Sequence, residues 1–369
     1  MIKRSLYSLG ILFLMTFLLT SCGTLRSEAA GVNVPPNRQV TRKNTESESM
    51  NLRPKNTENR KEIYLAGGCF WGVEAYFDRI PGIVETESGY ANGRRDETSY
   101  NEIAETGHAE TVKVVYDANR IHLAEILDRY YLIIEPFSLN KQGNDVGEQY
   151  RIGIYHTDET SKEIVDLSHS IFEESLGRKT VIEREPLEHF ITAEEYHQNY
   201  LDKNPNGYCH VNLNTSGVVL YPGREKPDDA TLKESLSDLA YNVTQEKGTE
   251  RAYSSEYDAF DERGIYVDVI TGQPLFSSAE KYDAGCGWPS FTRPITTDAM
   301  QYNEDRSFGM SRVEVETLEG ENHLGHIFED GPKDEGGLRY CMNGAALRFV
   351  PEGEMRDAGY AELLPYLLG

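Results

Sequence analysis

Cysteine is scarce in this chain, with 5 among 369 residues. The five stand far apart, at Cys22, Cys69, Cys209, Cys286 and Cys341, and no two form a Cys-x-x-Cys pair. That absence argues against a standard structural zinc motif and against a general dithiol oxidoreductase. Tryptophan is scarcer still, with 2 residues, Trp71 and Trp288. Basic residues are outnumbered 37 to 61, for a formal net charge of -24. Phosphate binding needs basic clusters, so nucleic acid is a poor candidate partner. The acidity fits a soluble body held at a crowded surface. Long apolar runs are missing beyond residue 20, which predicts no later membrane span.

The N-terminus does hold one apolar run. Lys3 and Arg4 precede residues 5–20, which are mostly Leu, Ile, Phe and small residues. A spanning helix needs roughly 20 apolar residues, so the run suits a signal peptide over residues 1–21. Leu19-Thr20-Ser21-Cys22 resembles a bacterial lipobox. The resemblance implies that Cys22 is lipidated and becomes the mature N-terminus, giving an extracytoplasmic, membrane-anchored lipoprotein. A conventional signal peptide and a retained anchor are the alternatives. Residues 22–60 are poor in large apolar side chains and read as a disordered tether.

The remaining length allows two domains, each with its own core. Over residues 61–220, strand patterns at Ile63–Ala66, Thr111–Tyr116, Arg151–His156 and Thr180–Arg184 mix with helical ones. The helices are expected from Cys69 to Ile80, from Leu123 to Ile134, and from an Asp158 cap to Leu176. An α+β domain with a mixed sheet follows. Residues 221–230, with Pro222, Gly223 and Pro227, read as a linker. Residues 231–369 show one helix, Leu232–Tyr241, and then strands at Gly264–Thr271, Ser311–Leu318 and Leu338–Val350, a mainly β domain.

Four of the cysteines lie in the two domains, and four such residues in an exported chain make either two ordinary disulfides or two redox centres. Cys69 follows Gly67-Gly68 at a predicted helix N-terminus, where free N–H groups and the helix dipole lower a thiol pKa. Phe70 and Trp71 follow it, and Glu110 is a candidate proton donor. On these residues alone, a buried cysteine on an amphipathic helix with core aromatics is the stronger reading.

The motif Gly67-Gly68-Cys69-Phe70-Trp71-Gly72-Val73-Glu74 resembles the active site of peptide methionine sulfoxide reductase A. Four more segments match in order: Ser88–Gly93, Gly107–Glu110, Asp145–Arg151 and Glu195–Leu201. The resemblance spans about residues 61–222. It implies Cys69 as nucleophile, Glu110 as acid, and Tyr90 and Tyr150 as donors to the sulfoxide oxygen. Phe70 and Trp71 would hold the methyl group, and Asp145 would place water or the substrate main chain. Cys209 would be the recycling cysteine on a mobile segment.

In the second domain Cys341 and Asn343 lie two apart in a strand-like stretch, and His323 and His326 lie three apart. Trp288 follows Cys286. Two histidines and two cysteines raise zinc as an alternative, against which the spacing argues. These segments, with Tyr241–Thr244, Gly248–Glu250 and Lys281–Phe291, resemble methionine sulfoxide reductase B from about Leu232 to Phe349. That implies Cys341 as nucleophile and Cys286 as recycling cysteine. His323, His326 and Asn343 would surround the sulfoxide, with Trp288 against its methyl. Many members of that family carry two Cys-x-x-Cys pairs that bind zinc. Here Asp268, Thr271, Thr317 and Gly320 stand near those positions, so no metal is expected and packing alone should stabilise the domain.

Sulfoxidation makes the methionine sulfur a stereocentre, and one chiral pocket reduces one epimer well. The two resemblances therefore imply S-epimer reduction by the first domain and R-epimer reduction by the second. They further imply no cofactor, oxidised proteins and free methionine sulfoxide as substrates, and a thioredoxin-like donor. The rival reading is a lipoprotein that captures oxidised peptides without turnover, which the paired thiols oppose.

Overall fold

The computed structural model describes residues 59–306 and 311–369. Cys22, the signal peptide and nearly all of the expected tether lie outside the described residues.

The first half is built on a six-stranded mixed sheet. Its strands are β1 (Arg60–Gly67), β2 (Ile83–Ala91), β3 (Ala109–Asp117), β6 (Ile152–His156), β7 (Glu183–Pro186) and β8 (Phe190–Thr192), with a separate two-stranded pair, β4 (Lys141–Gln142) and β5 (Asp145–Val146), inserted before β6. The order is β7-β6-β1-β3-β2-β8, and only β6 and β7 run parallel. Helices α1 (Phe70–Phe77), α2 (Ile103–Thr106), α3 (Leu123–Tyr131), α4 (Glu159–Leu176) and α5 (Tyr200–Lys203) complete this half. Asp158 caps α4 as expected: its side chain accepts from the Ser161 N–H at 2.7 Å, in a reciprocal capping box. Helix α1 departs from a one-faced amphipathic helix. All its residues but Trp71 are buried, because it lies between the sheet and the returning C-terminal part of this half.

The second half begins with α6 (Asp229–Ser235) and α7 (Asp238–Glu246), where the sequence pattern predicted one helix. Ser237 breaks the run by capping α7 through the Ala240 N–H. The strands follow as β9 (Gly264–Asp268), β10 (Pro274–Ser277), β11 (Lys281–Tyr282), β12 (Ser290–Phe291), β13 (Met300–Asp305), β14 (Arg312–Thr317), β15 (His323–Phe328), β16 (Arg339–Met342) and β17 (Leu347–Pro351). They form a three-stranded sheet, β10-β9-β17, and a six-stranded one, β11-β12-β16-β15-β14-β13. The single long strand expected over Leu338–Val350 is cut by a 3-10 turn at Gly344–Ala346, and its two parts serve different sheets. The α+β and mainly β classes expected from the sequence are those observed.

The linker is docked on both halves. Tyr221 donates to Asp128 of α3 at 2.5 Å, the Arg224 N–H donates to Thr271 O at 2.9 Å, and Lys226 donates to Gly320 O at 2.8 Å. Tyr366, near the C-terminus, also donates to Asp128 at 2.6 Å.

Candidate functional sites

The first site forms where β1 ends. Gly68 takes a left-handed conformation (φ 85°), which turns the chain so that Cys69 caps α1. Glu110 of β3 lies opposite this turn and accepts the Phe70 N–H at 3.1 Å. Its carboxyl is 1% exposed, and burial pushes its pKa up to about 8, with the Asp145 charge adding to the rise. The carboxyl therefore holds a proton at neutral pH. Cys69 is 6% exposed, and burial, followed by Glu110 once it ionises, raises its thiol well above the ordinary range. This corrects the expectation of a lowered pKa: desolvation outweighs the N–H groups of a short helix.

The aromatic wall is more extensive than the sequence reading placed it. Trp71 donates through Nε1 to His197 Nδ1 at 3.1 Å and stacks on Tyr200 at 3.7 Å between ring centroids. Phe70 packs on His197 at 5.0 Å and on Tyr90 at 6.0 Å. The tyrosines beside Glu110 differ in what already engages their hydroxyls. Tyr90 donates its only proton to Glu194 at 2.6 Å. Tyr100, which lies outside the quoted motifs, stands close to Tyr150, Glu110 and Cys69. Tyr100 also stacks against His197 at 4.4 Å, and Glu194 accepts its N–H at 3.1 Å. Tyr100 and Tyr150 thus stand near Glu110, as does Tyr90, whose hydroxyl is already engaged by Glu194. Only a loop stretch without periodicity carries Tyr100, so nothing in the pattern singled it out.

Asp145 in β5 lies close to Tyr208, the neighbour of Cys209, and its Oδ2 is buried without a hydrogen-bond partner. His210 meets Gly67 O at 2.9 Å. Cys209 lies against the first turn of α1: a Cβ added at Gly72 would stand 3.1 Å from its Sγ. The structure thus brings the Cys209 segment onto the Cys69 turn, with both thiols free.

The second site occupies one row of a sheet. In register across the strands, Tyr282 of β11 pairs with Ser290 of β12, Ser290 with Cys341 of β16, Cys341 with His326 of β15, and His326 with Glu314 of β14. Cross-strand partners share a face, so this row presents its side chains together. Residues three apart on a strand normally face opposite ways. A register shift between β14 and β15 resets the alternation, and the His323 and His326 rings lie 5.4 Å apart. His323 Nδ1 bonds Glu314 at 2.7 Å, and its Nε2 is buried without a hydrogen-bond partner. His326 Nε2 bonds Asp305 at 2.9 Å.

Cys286 and Cys341 stand 3.9 Å apart, Sγ to Sγ. Burial, then the neighbouring Cys286, pushes the Cys341 thiol up to about 12. Burial also opposes ionisation of Cys286, but its hydrogen bonds with Ser290, Trp288 O and Cys341, with Arg339 nearby, leave its thiol below the ordinary value. Trp288 is anchored by Nε1 on Glu250 O at 3.2 Å. Asn343 is structural as much as pocket-forming: its Oδ1 accepts the Glu250 N–H at 3.0 Å and its Nδ2 donates to Leu324 O at 3.0 Å. The Glu250 carboxylate in turn accepts the Gly344 and Ala345 N–H groups at 2.6 and 2.9 Å.

Asp268, Thr271, Thr317 and Gly320 do converge in space. Asp268 Oδ2 accepts from Thr271 Oγ1 at 2.5 Å and from Asn322 Nδ2 at 2.9 Å, while Thr317 Oγ1 accepts the Asn322 N–H at 3.0 Å. Lys226 reaches Gly320 O. These donors and acceptors satisfy one another and include no thiolate, so they do not fit a structural zinc ion. Packing is therefore not alone in holding this corner, which a buried hydrogen-bonded cluster ties together.

Residues 61–220 match the family model described as peptide methionine sulfoxide reductase, and residues 236–351 match the SelR domain. Among solved structures, Mxr1 from Saccharomyces cerevisiae in reduced form is 35% identical, with 42% of this chain and 92% of that one covered and a TM-score of 0.40. Methionine sulfoxide reductase A of Corynebacterium diphtheriae is 32% identical, with 42% and 79% covered and a TM-score of 0.37.

Proposed function

For a chain that belongs to the peptide methionine sulfoxide reductase family through residues 61–220 and carries a SelR domain at residues 236–351, and is thus a methionine sulfoxide reductase, we propose a division of labour between two self-sufficient thiol sites. The first reduces the S-epimer and the second the R-epimer. The observation that supports this most is that each half holds its own thiol pair, Cys69 with Cys209 and Cys286 with Cys341, beside its own proton donors and tryptophan.

At the first site the sulfoxide oxygen receives hydrogen bonds from Tyr100 and Tyr150 and a proton from Glu110, which is protonated at neutral pH. The raised Cys69 pKa fits attack coupled to proton loss. The thiol sulfur takes the oxygen, Glu110 receives the thiol proton, and the S–O bond of the substrate breaks. Methionine leaves and Cys69 becomes a sulfenic acid. The Cys209 thiol displaces hydroxide from that sulfur; with one proton this leaves as water, and a disulfide remains. A thioredoxin-like dithiol supplies two electrons and two protons to restore both thiols. At the second site His323, held by Glu314 through Nδ1, gives the Nε2 proton to the sulfoxide oxygen and receives the Cys341 thiol proton as that sulfur takes the oxygen; the S–O bond breaks, methionine leaves, and the Cys286 thiol displaces water from the sulfenic acid to close the disulfide. The N-terminal motif supports membrane anchoring through Cys22 and repair of oxidised extracytoplasmic proteins.

The test is crosswise. Cys69→Ser is expected to abolish S-epimer reduction and spare R-epimer reduction, and Cys341→Ser to do the reverse. Cys209→Ser and Cys286→Ser should each leave one round of reduction and block donor-driven turnover at their own site. Loss of both activities from one substitution would overturn the division.

A further inference from the structure

The second half of the chain reaches the first at a point that bears on Cys209. Helix α3 presents Arg129, which is wholly buried. Its guanidinium donates to Glu125 at 2.8 Å, to Asp298 at 2.9 Å and to Ser216 O at 3.3 Å. Asp298 belongs to the second half and is itself buried. Its Oδ2 also accepts the Leu220 N–H at 3.2 Å, while Thr296 Oγ1 fixes its Oδ1 at 2.7 Å. Ser216 and Leu220 lie in the segment that follows Cys209. Tyr76 of α1 packs beside both Arg129 and Thr215. The upstream end of the same segment rests on the Cys69 turn through His210, which meets Gly67 O at 2.9 Å. The segment is therefore held at both ends, and the downstream hold includes a carboxylate from the other domain, beside the Tyr221 bond to Asp128.

We propose that Asp298 is a positioning residue for the first site. Through Arg129 and the Leu220 amide it anchors the Cys209 segment, so that the second domain sets how often Cys209 meets the Cys69 sulfenic acid. The inference rests on reading Cys209 as the recycling thiol. Its physical basis is effective concentration: a segment fixed at both ends explores few conformations, and releasing one end dilutes Cys209 around its target. Another link between the halves lies away from this segment: Arg356 pairs with Glu174 at 2.6 Å on the surface.

The experiment uses the full-length chain in single turnover with S-epimer sulfoxide, following methionine release and disulfide closure separately. Asp298→Ala is expected to release methionine at the wild-type rate and to close the disulfide about tenfold more slowly. Dimedone should then trap a sulfenic acid on Cys69. Asp298→Asn, which keeps the side-chain shape, should show the same delay if the alanine variant folds poorly, and Asp298→Glu should restore part of the rate. Arg356→Ala and R-epimer turnover at the second site should be unchanged. Closure at the wild-type rate in both Asp298→Ala and Asp298→Asn would overturn the proposal. So would equal slowing of methionine release and closure, or the same delay in Arg356→Ala. A Cys209→Ser chain that still cycled with its protein donor would instead sink the recycling assignment, and the inference with it.

Discussion

Glu110 shows how one residue's burial decides its chemistry. Desolvation at 1% exposure lifts its pKa to about 8, so it carries a proton below that pH and loses it above. S-epimer reduction is therefore expected to fall as pH rises through about 8. Glu110→Gln should remove that limb and lower the single-turnover rate by roughly 10²–10⁴-fold. A profile that stayed flat or climbed between pH 7 and 9 would exclude Glu110 as the donor. The motif made Cys69, Glu110 and Trp71 legible, because glycines, a cysteine and aromatics adjacent in sequence form one turn. It could not separate Tyr90 from Tyr100. That choice depends on Glu194, which takes the Tyr90 proton and comes from a segment far along the chain.

At the scale of elements, the turns after β9 and β14 show what replaces a metal staple. Asp268 gathers Thr271 and Asn322 in a buried cluster, with Thr317 holding Asn322 from the other turn. Removing the shared acceptor leaves buried donors unsatisfied. Asp268→Ala should cost about 2 kcal/mol, read as a lower unfolding midpoint of the second domain. Added zinc should not raise the midpoint of the unsubstituted chain. A zinc-dependent increase would contradict the cluster's role. The sequence showed which positions lacked cysteine, but not that their replacements bond one another. Likewise the row Tyr282–Ser290–Cys341–His326 depends on strand register, which no local pattern states.

Across the whole molecule, the two halves share a polar contact rather than a loose tether. Glu125 accepts from Thr297 at 2.6 and 2.8 Å, Arg129 meets Asp298, and Asp128 accepts hydrogen bonds from Tyr221 and Tyr366. Beyond this body lies the anchoring expectation, which the leader motivates. Mass spectrometry of membrane-associated protein is expected to find a diacylglyceryl group on Cys22, and Cys22→Ala to release the protein from the membrane. A mature N-terminus elsewhere would refute lipidation.

The sequence by itself determined the order of the two domains, their α+β and mainly β classes, and the cysteines, tryptophans and acid on which each site is built. These are readable because each motif is local: a turn, a cap or a strand writes its needs into adjacent residues. The tertiary structure alone decided which tyrosines face Glu110, that a register shift aligns His323 with His326, and that Asp298 reaches the Cys209 segment. Those depend on contacts between residues distant in sequence, set by how sheets and helices pack, and packing leaves no periodic signature in the chain.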